Sequence, residues 1–190
     1  GQPLHFRTRS GTLTATNDGD GRRWLDLPAW PVADVTAPAT PPDVEVPGLL
    51  GGVPGRYLGR TSVAQANDLI EVADVAALDA VVPDHDAIRA LRAGGLIVTA
   101  PGADTDAAMR YFAPALGVDE DPVTGSAACT VAPLWAARLG RAEITIEQRS
   151  ARGGRVWTRV QDDRVQVGGH AVIVLRGKVA VTDLAPAPQD

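Results

Sequence analysis

Between Ala127 and Leu139 a helix would carry apolar residues on nearly every side: Ala128, Val131, Ala132, Leu134, Trp135, Ala136, Ala137 and Leu139. Such a helix is stable only when covered all round. Around it the chain offers many short runs of alternating or apolar residues. No regular strand–helix alternation of the kind that builds a doubly wound sheet is present. The expectation is therefore an α+β fold, in which short, mostly antiparallel strands curl around a central apolar helix at about residues 126–139. Pro133 lies inside that helix, removes one backbone hydrogen bond and predicts a kink.

The strands follow from period-two patterning and turn residues. Leu4–Thr8, Thr12–Thr16 and Trp24–Leu27 alternate, and Ser10-Gly11 and Asn17-Asp18-Gly19-Asp20-Gly21 separate them as turns. They read as a three-stranded meander. From Pro28 to Pro47 there are six prolines, a density that excludes helix and central strand. The domain expectation is a first-domain remnant at 1–30, a linker at 31–47, a second domain at 48–178, and a C-terminal strand and tail at 179–190. A short helical turn is expected around Val46–Leu50. Tyr57–Ser62 and Asp68–Ala73 read as strands, and Leu78–Val82 as a third short apolar run. Asp84 caps a helix to Leu91. Leu96–Thr99 and Arg110–Phe112 read as further strands, and five more follow the central helix: Ile144–Gln148, Arg155–Val160, Val165–Val167, Ala171–Leu175 and Val179–Thr182.

Composition removes several function classes. The net charge is −5 and the basic residues are scattered, whereas nucleic-acid affinity needs clustered positive charge. One cysteine, Cys129, permits neither an intrachain disulfide nor a thiolate zinc site. His5, His85 and His170 share no ligand spacing, so no metal is expected. No apolar run approaches the ~18 residues of a membrane helix, and a cytoplasmic protein is the expectation.

Chemistry concentrates in Glu120-Asp121-Pro122-Val123-Thr124-Gly125-Ser126-Ala127, just before the apolar helix. The first amides of a helix lack intrahelical partners, and the helix dipole favours an anion there. Gly125 permits close approach to the backbone. Thr124 or Ser126 can cap the helix or bond a ligand. A carboxylate held by those amides places its α-carbon near Asp121, which suits proton abstraction or donation. An ordinary N-cap with an acidic first turn is the plainer reading of the same residues.

That string, with Arg110-Tyr111-Phe112-Ala113-Pro114, Gly117-Val118 and the downstream Gln148-Arg149-Ser150-Ala151-Arg152-Gly153-Gly154, resembles the signature of the PhzF-like phenazine-biosynthesis family, related to diaminopimelate epimerase. The resemblance runs along nearly the whole chain. It implies β-rolls around central helices, a cleft between two domains, and cofactor-independent proton shifts on a small carboxylate metabolite, as in biosynthetic isomerases. By motif, Asp121 is one acid/base group and Ser126 works beside it. Gly125 and Ser126 hold the substrate carboxylate, with Thr124 and Ala127 supporting. Arg110, and less directly Asn67, are further candidates for substrate contact. The family's second carboxylate, a Glu in a Ser-Glu-Thr-type motif, and a Gly-His pair have no counterpart here. The first domain is thus expected to be incomplete. Activity is expected to require the missing half, supplied by a complementary N-terminal polypeptide or by an upstream segment, with homo-oligomerisation the other expected association. A non-catalytic carboxylate-binding subunit and a truncated form are the alternatives.

Overall fold

Gly11 and the Asp18–Gly21 turn divide the N-terminal residues into three strands: β1 (Leu4–Thr8), β2 (Gly11–Asn17) and β3 (Arg23–Pro28). They pair in an antiparallel meander, as their patterning predicts. The computed structural model describes residues 2–8, 11–32, 45–61, 66–91 and 93–178. The expected strand at Val179–Thr182, the tail, and most of the proline-rich segment lie outside the described residues.

Then come α1 (Val46–Leu49), β4 (Arg56–Arg60), β5 (Asn67–Glu71), α2 (Val75–Ala80), α3 (His85–Ala90), β6 (Gly95–Pro101), β7 (Ala107–Phe112) and a 3-10 turn at Pro114–Leu116. The long helix α4 (Gly125–Leu139) follows, then β8 (Glu143–Gln148), β9 (Gly154–Gln161) and β10 (Arg164–Gly169). The ten strands form one mixed sheet in the order β1-β2-β3-β10-β9-β8-β7-β6-β5-β4. Only β5–β6 and β7–β8 pair in parallel. Each of these pairs needs a crossover, and α2–α3 and α4 supply them. The meander joins the rest of the sheet directly, because β3 pairs with β10 from Pro28↔Arg164 to Arg23↔Gly169.

Alternation sorts the side chains onto the two faces. Leu69, Ile97, Met109 and Tyr111 face α4, together with Ile144, Ile146, Val156, Val165 and Val167. Ile70, Leu96, Val98, Ala108 and Phe112 point the other way, toward α1, α2 and α3. The middle strands are therefore buried on both faces, which is why β6 reads as a continuous apolar run. Ala127, Ala128, Cys129, Thr130, Val131, Ala132, Leu134 and Trp135 of α4 are buried, and the helix packs on β7 to β10. Pro133 leaves the Cys129 carbonyl without its helical donor. The Trp30 N–H donates to it instead, at 2.9 Å, which ties the residues after β3 to the helix.

One apolar run takes a state the sequence left open, and one expected strand differs. Leu78, in the apolar run at 78–82, is the buried residue of α2, whose start Asp74 caps by accepting from the Ala77 N–H at 2.8 Å. An Ala-rich run behind such a cap prefers helix. Ala171–Leu175, expected as a strand, has no regular structure, and Val172 to Leu175 are exposed. Both neighbours of β10 are already taken by β3 and β9, so no edge beside it is left to receive those residues.

Candidate functional site

The turn between β7 and α4 is held from both sides. Gly117, in the left-handed region at φ 78°, reverses the chain after β7. Glu120 then returns along that strand, and Arg110 on β7 grips its carboxylate with Nε (2.8 Å) and a terminal nitrogen (3.1 Å). The same guanidinium donates to the carbonyls of Val81 (2.8 Å) and Leu78 (3.3 Å) at the end of α2. Arg110 therefore braces Glu120 against a helix end. The Asp121 N–H donates to the Tyr111 carbonyl at 3.0 Å.

From the other side, the end of β8, the loop after it and the start of β9 underlie the turn residue by residue. Gln148, fully buried, donates from Nε2 to the Asp121 carbonyl (2.6 Å) and to Thr124 Oγ1 (3.1 Å). Its Oε1 accepts from the Thr124 N–H (2.6 Å). Ser150 Oγ donates to the Pro122 carbonyl (2.7 Å) and accepts from the Gly153 N–H (3.1 Å). Val123 packs on Gly154.

Thr124 is the N-cap residue of α4, with extended backbone, yet its side chain does not cap the helix. The hydroxyl instead meets Asp121 Oδ2 at 2.5 Å. The first amide with a helical partner is that of Ala128, bonded to the Thr124 carbonyl. Among the described residues, none accepts from the N–H groups of Gly125, Ser126 or Ala127. Three backbone donors at the positive end of a fifteen-residue helix thus remain available within a few residues of a carboxylate.

Two grooves meet this turn. One, of about 630 Å³, has Val123 and Gly125 in its wall, with Trp157, Val167 and Gly168 from β9 and β10 and Arg152 at its rim. The other, of about 510 Å³, is polar and runs over Arg110, Glu120, Gln148 and Arg149 to the same Arg152. Arg149 is committed to Asp79 and Glu147, and its hydrogen bond holds the Asp79 carboxyl below the usual range. Arg152 lines both grooves, is exposed and forms no ion pair among the described residues. Burial, with the Asp121 charge in second place, pushes the Tyr111 phenol up.

Asp121, Thr124, Gly125, Ser126 and Ala127 therefore share one turn and helix start. Arg110 reaches it only through Glu120, and Asn67 lies apart, accepting from the Tyr111 hydroxyl at 3.0 Å. Gln148 is the participant that chemical reasoning from sequence missed. A glutamine at a strand end carries no signal of its own, and its partners lie 24 to 27 positions away. The Gln148–Gly154 motif marked the region but assigned that side chain no role. Among the described residues no group of three or more His, Cys, Asp or Glu is placed to hold a metal. Among the described residues no helix is long and apolar enough to cross a membrane.

Against known families, residues 1–177 match the model described as phenazine biosynthesis-like protein. The chain belongs to this family. A protein of Pseudomonas aeruginosa named as an uncharacterised isomerase is 41% identical over 182 residues, which cover 96% of this chain and 66% of that protein. A second such protein, from Halalkalibacterium halodurans, is 36% identical over 94% of this chain and 64% of its own length. The chain thus spans slightly less than two thirds of the length of these relatives. Among solved structures, the PhzF-family phenazine biosynthesis protein of Enterococcus faecalis superposes with a TM-score of 0.76 at 30% identity, over 95% of this chain and 66% of that one. The fold is that of the PhzF family.

Proposed function

We propose that this chain carries the carboxylate-binding side of a cofactor-independent isomerase site, in which Asp121 exchanges a proton with the carbon next to a substrate carboxylate. The observation that supports this best is the position of the Thr124 hydroxyl. Because it bonds Asp121 and leaves the helix uncapped, the amides of Gly125, Ser126 and Ala127 are free for an anion four to six residues from that carboxylate. A substrate carboxylate seated on these N–H groups, with the Ser126 hydroxyl beside it and the Arg152 charge at the rim, brings its α-carbon toward Asp121. General acid or base catalysis of this kind contributes typically 10²–10⁴-fold. Relatives named as isomerases support the reaction class. The partner carboxylate, the domain division at 31–47 and any assembly belong to the same proposal, since proton shifts between two positions use a second group.

Asp121→Asn is the test. In the protein that carries this chain, solvent-deuterium incorporation into the bound carboxylate substrate is expected to fall by about 10²-fold or more, while binding of that substrate is retained. An Asn variant as active as the parent would exclude the role. The non-catalytic alternative predicts binding by calorimetry with no deuterium incorporation in the parent either.

A further inference from the structure

Gln148 sits where a spectator is not needed. Its side-chain amide is fully buried, and each of its two heavy atoms is used on the turn. The orientation is decided by chemistry. The Thr124 backbone N–H can only donate, so the atom 2.6 Å from it is the carbonyl Oε1. The NH2 end then faces the Asp121 carbonyl and Thr124 Oγ1, with one hydrogen for each. Thr124 Oγ1 thereby accepts from Gln148 and keeps its own hydrogen. That hydrogen goes to Asp121 Oδ2, which accepts it. The hydrogen bonds run in one direction, from Gln148 through Thr124 to Asp121, and each polarises the next. Among the described residues Asp121 Oδ1 has no partner, which leaves it as the oxygen facing the chemistry.

A threonine at an N-cap ordinarily turns its oxygen onto the second or third amide of the helix. Here those are the amides of Ser126 and Ala127, two of the three that hold the substrate carboxylate in the function proposed above. We infer that Gln148 is a positioning residue that keeps Thr124 out of its capping geometry, so that the anion cradle stays open and Asp121 presents Oδ1. This inference rests on that reading of the cradle, yet the hydroxyl's direction is open to test without it.

Hydrogen exchange and an acetate titration, both followed at the backbone amides of residues 125–127 by NMR, separate the two. In Thr124→Ala, exchange at Ser126 and Ala127 is expected to match the parent. Faster exchange there would mean that the hydroxyl caps the helix, and would overturn the inference even if no Gln148 variant folds. In Gln148→Met the freed hydroxyl swings onto the helix. Exchange at Ser126 or Ala127 is expected to slow by about fivefold, the size of one cap hydrogen bond, and acetate to bind more weakly by a similar factor. Adding Thr124→Ala to Gln148→Met is expected to restore acetate binding, because nothing is then left to close the cradle. Unchanged exchange in Gln148→Met, or no recovery in the double variant, would overturn the role of Gln148. If acetate does not bind the parent at residues 125–127 while the exchange pattern holds, the cradle reading fails and the positioning by Gln148 stands.

Discussion

Val123 lies against the backbone of Gly154: a Cβ added at Gly154 would stand 2.3 Å from Val123 Cγ2. This contact closes the turn onto the strand that underlies it. Gly154→Ala therefore has to push Val123, and with it the Asp121–Thr124 turn, away from β9. Overpacking of this kind costs about 1–3 kcal/mol. Urea denaturation is expected to show that loss. Carboxylate binding is expected to weaken along with stability, because Thr124 moves with Val123.

Glu71 supplies a pH-dependent tie between the sheet edge and α4. Burial alone would raise its carboxyl, but hydrogen bonds from Arg138 (2.5 and 3.1 Å) and Arg56 (3.0 Å) outweigh it and hold the group below the usual glutamate value. The folded state thus binds the proton less tightly than the unfolded chain. The stabilisation is full above the unfolded value, near 4.5, and is lost as pH falls through the lower folded value. Unfolding free energies measured from pH 7 to pH 3 are expected to drop less steeply in Glu71→Gln than in the parent. Equal slopes would remove Glu71 from the acid sensitivity.

Cys129 is buried in α4 and donates weakly to the Gly125 carbonyl at 3.5 Å. Burial pushes its thiol up to about 12. A thiol held protonated and covered is a poor nucleophile. Folded protein is expected to resist iodoacetamide at pH 8, and protein in 6 M guanidinium to be alkylated at this single site. Rapid alkylation of the folded chain would show that α4 opens far more readily than its packing implies.

The apolar face of the sheet continues past the cover of α4. Register aligns Val167 of β10 with Leu25 of β3, Leu25 with Ala15 of β2, and Ala15 with Leu4 of β1, while Phe6 pairs with Leu13. Val167 is packed in the α4 core, whereas Leu25, Phe6 and Leu4 are 44%, 51% and 60% exposed. An apolar strip on an edge strand favours association. Light scattering on the purified chain is expected to show self-association that Phe6→Lys reduces. A monomer at all concentrations would exclude this face as an association surface.

Much of the architecture was legible in local pattern. Local pattern located all ten of the described strands, to within a few residues at their ends. Asp84 announced α3, and the apolar run before Gly140 announced α4, because period and caps are short-range properties of the chain. A short apolar run has no preferred state until its neighbours are known. A cap at Asp74 placed Leu78 in a helix, and Ala171–Leu175 misled because both sides of β10 are already paired with β3 and β9.

The same division holds at the site. The order of residues from Glu120 to Ala127 already determined a carboxylate, a proline-held turn and three amides at a helix start, since all lie within eight positions. Only the tertiary structure decided what they do together. The hydroxyl of Thr124 faces Asp121 rather than its own helix because Gln148, 24 positions onward, is brought beneath it by the parallel pairing of β7 with β8. Which of two nearby acceptors and donors a short side chain chooses is a matter of what is packed around it, and that is settled by strands far apart in the chain.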